Sequence, residues 1–342
     1  MNCITPAARR SDHCRIRGGG MAAALAAALA VATIPAVAQP WKPTQAVEFI
    51  SPSGAGGGSD QVVRAIEQVI NTNKLLDVPI AVINKPGAGG DIAWKWLSQH
   101  GSGGHQISLI TGNLLSNQIT GRSTLSHGDL SCIAQLFSEA SGVAVRADST
   151  IKDGRDLLER LRKDPASVSA AVGTAFGGSG HIALALAAKS AGSDPRKLRV
   201  VVFPAFSQAL SALLGGHIDL VLNPASSLIP QMQEGKIRTI AVSTPERVGG
   251  ALAQVPTLHE LGAKGVHIEA FRAMVGPKAM PANQVAYWEG VMKRMTDTAD
   301  WKKEVERRGW MASFKLARDC HSGIKQQYDL MHEGLSALGL AK

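Results

Sequence analysis

The chain has 342 residues, of which 45% are hydrophobic, 18% charged and only 4% aromatic, with a formal net charge of +9. Such a composition belongs to a folded globular protein long enough for two domains, and it excludes a disordered or low-complexity chain. The basic residues are dispersed and base-stacking aromatics are scarce, which excludes nucleic-acid binding.

The first 38 residues read as an export signal. Arg9, Arg10, Arg15 and Arg17 precede MAAALAAALAVATIPAVA at 21–38, an alanine-rich run broken by Pro35 and closed by Ala36-Val37-Ala38. A basic stretch, an apolar stretch and an A-x-A end predict cleavage near Ala38 and a soluble mature protein in the periplasm; an uncleaved anchor is the alternative. Four Arg and one Asp leave with this segment, so the net charge falls from +9 to +6. Cys3 and Cys14 leave as well. Cys132 and Cys320 remain, far apart in sequence, and are expected as two buried thiols, with a single disulfide as the alternative that an oxidising compartment permits.

Beyond the signal, short β-rich runs alternate with helical ones. Strands are expected at 47–50, 80–84, 106–111, 142–147, 168–173, 198–203, 218–223 and 238–243. Val62, Ile66 and Val69 form one stripe of a first helix at 60–70. Further helices are expected at 152–163, 180–191, 207–214 and 226–234, and the polar segment 281–340 reads as a helical cap. This order predicts an α/β fold with a parallel or mixed sheet flanked by helices.

Three glycine-rich turns follow predicted strands. The first is SPSGAGGGSD at 51–60, the second NKPGAGG at 84–90, and the third GTAFGGSGH at 173–181. The first and third share Gly-Gly-Ser, with Ser59 and Ser179 standing 120 positions apart. Glycines before a helix let bare N–H groups and the positive end of the helix dipole approach an anion. The echo is either two ordinary βα turns or two half-sites facing each other across a cleft.

Competing motifs fail on spacing. Gly54 and Gly56 begin a dinucleotide fingerprint, but Ser59 stands where its third glycine belongs, and no lysine completes a P-loop. Around Ser179 the sequence lacks the last glycine of a nucleophile elbow, although His181 stands two residues on as a conceivable base. The ten histidines show no metal-ligand spacing, so neither metal nor cofactor is expected.

SPSGAGGGSD, INKPGAGG, VGTAFGGSGH, ALLGGHIDL, GKIRTIAVSTPER, QVPTLHELG and FRAMVGPKAMP occur in that order. Together they resemble the extracytoplasmic solute receptors of the tripartite tricarboxylate transporters, also called Bug receptors, over nearly all of the mature chain. The resemblance implies a two-domain periplasmic binding protein of type II, a Venus flytrap, with 39–142 and 244–342 as one domain and 143–243 as the other. It implies a monomeric binding protein, not an enzyme, which captures a small di- or tricarboxylate and delivers it to large and small membrane components. A ligand sensor for a membrane kinase and a secreted serine hydrolase are the alternatives.

Carried onto this chain, the implied ligand contacts are Gly57, Gly58, Ser59 and Asp60 in the first turn, and Thr174, Gly178, Ser179 and His181 in the third. Phe203, Ala205 and Gln208 follow the strand at 198–203, Asn223 ends the next strand, and Arg272 lies further on. Asn84, Pro86, Gly87 and Gly89 form a structural turn beside the site. Asp60 could equally cap its helix, His181 could be a satisfied helix-start residue, and Arg272 could pair with a structural carboxylate. Ser59, Gln208 and the Phe-Pro-Ala-Phe run at 203–206 depart from the pattern of relatives and leave the ligand's identity open.

Overall fold

The computed structural model describes residues 41–101, 103–173, 177–203 and 206–342. The expected export signal, Thr174 and Ala205 therefore lie outside the described residues. Among those described, ten strands join into one mixed sheet. Strands β1 (Val47–Ser51), β2 (Ile80–Asn84) and β3 (Gln106–Ile110) run parallel in the order β2-β1-β3. β4 (Ser131–Arg146) is 16 residues long. β5 (Ser169–Gly173), β6 (Arg199–Phe203) and β7 (Leu220–Pro224) are again parallel, in the order β7-β5-β6. β8 (Ile237–Val242), β9 (Glu269–Gly276) and β10 (Met311–Leu316) all run antiparallel to β4. β4 pairs with β9 and β10 up to Ala140, and from Ser141 onward with β7 and β8. One strand thus belongs to both halves of the sheet.

The helices are α1 (Gly58–Thr72), α2 (Asp91–His100), α3 (Asn113–Ile119), α4 (Gly154–Lys163), α5 (Ser179–Ser190), α6 (Phe206–Leu214), α7 (Ile229–Gln233), α8 (Ala282–Asp297), α9 (Ala299–Arg308) and α10 (Ala317–Ala337). Residue alternation along β1 decides the layers. Val47 and Phe49 face α1 and α8, packing with Val62, Ile66, Val69 and Trp288. Ile50 faces the other way, into a cluster that includes Trp94 and Leu97 of α2, Met331 and Leu335 of α10, and Ile182 of α5. α10 therefore packs against both halves of the sheet. Its Gly334 lies under Ile182, and a Cβ added there would collide with that side chain, so the glycine sets how closely α5 and α10 approach. None of the described helices is long and apolar enough to cross a membrane.

The sequence reading departs from the structure at several points. β4 begins eleven residues before the expected 142, β9 and β10 were not anticipated, and β10 interrupts the segment read as wholly helical. Residues 226–234 yield only a short 3₁₀ turn and the five-residue α7. Cys132–Leu136 is buried on both faces, with Gln135 its one polar residue, so it carries no two-residue alternation to mark a strand. That missed half of β4 also explains the cysteines. It brings Cys132 beneath the first turn of α10, with its Cα 6.3 Å from that of Cys320, and the two form a disulfide where two thiols had been expected.

Candidate functional site

The first turn is built around a left-handed glycine. Gly56 has φ +76, a conformation that a residue with a Cβ rarely adopts. Gly57 is the N-cap of α1, extended at φ −70 and ψ 164, and brings no capping side chain. Its own N–H donates to the Gly54 carbonyl at 3.0 Å, and the Asp60 N–H donates to Ser53 Oγ at 3.0 Å. Among the described residues the amides of Gly58 and Ser59 find no acceptor, as expected at a helix start.

Asp60, the third residue of α1, is 1% exposed. Its Oδ2 accepts the Gly56 N–H at 2.8 Å, its Oδ1 accepts Asn84 Nδ2 at 2.7 Å, and Arg64 Nε lies 3.1 and 3.0 Å from the two oxygens. Burial alone would raise this carboxyl; the bonds from Asn84, Gly56 and Arg64 outweigh burial and hold it below the usual carboxylate value. Asp60 therefore leaves the free amides of α1 uncapped. It reaches back to lock the turn, and through Asn84 it joins the first glycine turn to the second.

α5 begins in the same way. Gly177 has φ +79, and the N-cap Gly178 sits at φ −71 and ψ 164 without a capping side chain. The third helical residue is now His181, whose Nδ1 accepts the Gly177 N–H at 3.1 Å, just as Asp60 accepts that of Gly56. Gly56 matches Gly177, Gly57 matches Gly178 and Asp60 matches His181, a spacing of 121 positions. The echo in space is thus one residue out of step with the serine echo in sequence, and Ser179 occupies the place of Gly58. Residues two apart on a helix point to different faces, which separates Ser179 from His181. Ser179 Oγ meets Ser141 Oγ at 3.0 Å. The Ser141 N–H in turn donates to Ser243 Oγ at 3.0 Å.

His181 is 3% exposed, and burial pushes its imidazole down to about 4. In the unfolded chain the ring titrates near 6.5, so the unfolded state binds the proton more readily. The stability that the neutral ring contributes is complete above pH 6.5 and is lost as pH falls toward 4, a change of roughly 3 kcal/mol. Urea unfolding across that window should show this loss in the wild type and not in His181→Asn, whose amide oxygen can accept the same Gly177 N–H. Equal pH slopes would refute the assignment.

The second glycine turn lies at the same sheet edge as the first, because Ser51 and Asn84 pair in register. Pro86, Gly87, Ala88 and Gly89 are exposed. Asn117 of α3 donates to the Ala88 carbonyl at 3.0 Å, and a Cβ on Gly89 would stand 3.7 Å from Asn113 Nδ2. From the other half of the sheet, a Cβ on Gly177 would stand 3.7 Å from Ser116 Cβ. α3 is therefore flanked by glycine turns from both halves. Sequence reasoning missed Asn113 and Ser116. Thr111-Gly112 after β3 is a βα turn of the same kind, and that rule would have found Asn113.

Of the remaining expected residues, Phe203 ends β6 opposite Gly173. Asn223, near the end of β7, donates from Nδ2 to the Phe206 carbonyl at 3.0 Å. Gln208 is exposed on α6. Arg272 directs its guanidinium to its own strand pair, with Nη2 2.6 Å from Glu139 Oε2 and Nη1 at 3.2 and 3.1 Å from the Ala270 and Phe271 carbonyls. To hold a ligand it would have to leave Glu139. Two surface grooves open elsewhere, one lined by Arg155, Arg162 and Leu261 and one by Arg238, Thr239 and Leu261, and neither borders a glycine turn.

Residues 62–329 match the family described as tripartite tricarboxylate transporter family receptor. A curated relative, a UPF0065 protein in the gbd 5′ region of Cupriavidus necator, is 26% identical over 338 residues, covering 96% of this chain and 98% of its own. Among solved structures, Rpa4515 of R. palustris with adipate superposes with a TM-score of 0.75 at 19% identity, covering 87% of this chain and 99% of its own. MatC from Rhodopseudomonas palustris with bound malate superposes with a TM-score of 0.68 at 21% identity, covering 88% and 100%. At these identities the superpositions establish a shared fold, and the family match identifies a receptor rather than an enzyme.

Proposed function

The chain belongs to the tripartite tricarboxylate transporter receptor family, and from that premise we propose that it captures a small organic dicarboxylate with one carboxylate on each of its two matching glycine turns. The observation that carries this reading is the repeated turn geometry at Gly56–Asp60 and Gly177–His181, which leaves the Gly58 and Ser59 amides uncommitted. A charge-assisted hydrogen bond contributes about 1.5–3 kcal/mol and a helix dipole about 0.3–1 kcal/mol, whereas micromolar affinity needs about 8 kcal/mol. One turn falls short and two suffice. The adipate bound to Rpa4515 and the malate bound to MatC are ligands of this class.

The chain is exported, cleaved near Ala38 and works in the periplasm as a monomer. Residues 39–142 with 244–342 form one lobe and 143–243 the other, hinged where β4 changes partners. The ligand favours the closed form by binding it better than the open one, and the closed form is presented to the large and small membrane components of the transporter.

Thermal shift of the purified protein against succinate, adipate, butyrate and glucose tests the reading. Dicarboxylates at about 100 times Kd add about 2.7 kcal/mol and raise the midpoint, and butyrate does so far less at equal concentration. Stabilisation by glucose alone would sink it.

A further inference from the structure

Asn223 is 1% exposed, and its Oδ1 has no hydrogen-bond partner among the described residues. The orientation of its amide is not open to exchange, because only Nδ2 can donate to the Phe206 carbonyl, which it does at 3.0 Å. The planar amide then turns Oδ1 away from that carbonyl. Asn223 pairs with Gly142 of β4, and it lies one register step beyond the Val172–Leu222 pair, beside Gly173 of β5. Both flanking positions are glycines, so neither contributes a side chain that could satisfy the oxygen. The residue stands at the strand-end rim from which the chain leaves β5 toward the Gly177 turn.

A buried carbonyl oxygen without a donor costs more than a hydrogen bond ordinarily contributes, so proteins seldom leave one unless something else supplies the donor. An ionised carboxylate cannot, since it only accepts. We propose that Asn223 Oδ1 receives an O–H or N–H donor carried on the ligand's backbone, which makes the ligand a hydroxy- or amino-substituted dicarboxylate rather than an unsubstituted one. This rests on the dicarboxylate reading above. The glycine turns supply donors to the two carboxylates, and Asn223 supplies the one acceptor, so the site reads the substituent between them.

Matched pairs that differ by one hydroxyl test the assignment without any mutation. Calorimetric titration of the purified protein compares succinate with each enantiomer of malate, and glutarate with each enantiomer of 2-hydroxyglutarate. In at least one pair a hydroxy acid binds about ten-fold more tightly than its parent, the worth of one satisfied buried acceptor. The same titrations on Asn223→Leu, which keeps the branched four-atom side chain but has no acceptor, show the difference gone. If unsubstituted and hydroxylated diacids bind equally, or the preference survives in Asn223→Leu, the assignment falls while the dicarboxylate reading stands. If no diacid binds at all, the dicarboxylate reading falls with it.

Discussion

Replacing Gly58 by leucine should weaken the proposed dicarboxylate capture at least about 100-fold while leaving the fold at full stability. Gly58 is the first residue of α1 and is exposed. A Cβ added there meets nothing within 4 Å, and the backbone is not left-handed, so the new side chain neither collides nor strains the chain. Leucine is also the better helix former, by up to about 1 kcal/mol. What the side chain does occupy is the space above the Gly58 and Ser59 amides. Losing both charge-assisted bonds there, about 3–6 kcal/mol, weakens binding at least about 100-fold. Gly249→Leu is the matched control, since that glycine, at φ −72, is not left-handed either and likewise has open space around it. Calorimetry and urea unfolding on both variants decide the matter. Binding retained within about ten-fold in Gly58→Leu, against an intact control, removes α1 from the site.

Opening the Cys132–Cys320 disulfide has the largest effect on stability. The bond closes a loop of 188 residues, for which chain entropy predicts a contribution of about 5 kcal/mol. Cys320 is fully buried and begins the helix whose Met331 and Leu335 belong to the central core. At roughly 2–4 °C per kcal/mol, melting followed by circular dichroism should fall by roughly 10 °C or more in Cys132→Ser/Cys320→Ser. A drop of under 2 °C would mean that packing of α10 holds it in place unaided.

Much of this architecture was legible, and the reasons are local. A run such as Val47–Ile50 followed by SPSGAGGGSD announces strand, turn and helix start within a few residues, because left-handed backbone and glycine go together. The register of the repeat was not legible. Sequence similarity aligns the serines, whereas the backbone aligns the left-handed glycines Gly56 and Gly177. The roles of Asp60 and His181 were hidden for a related reason. One is an acid and the other an imidazole, and only their common acceptor function toward a glycine amide makes them equivalent. Arg272 advertised itself as a carboxylate binder, but Glu139, which it meets, is 133 residues away in sequence. β9 escaped notice because only Ala270–Ala273 alternates in burial and its last four residues, like the first half of β4, are buried without a break.

The disulfide has a topological consequence that concerns breakage rather than stability. Residues 132–320 form a covalent ring closed by the sulfurs, with every residue between β4 and the start of α10 on its circumference. A protease that cuts once anywhere on that ring opens it without releasing a fragment. The nicked molecule keeps its full mass until a reductant splits it in two. In a compartment shared with proteases, a receptor built this way tolerates its first cut.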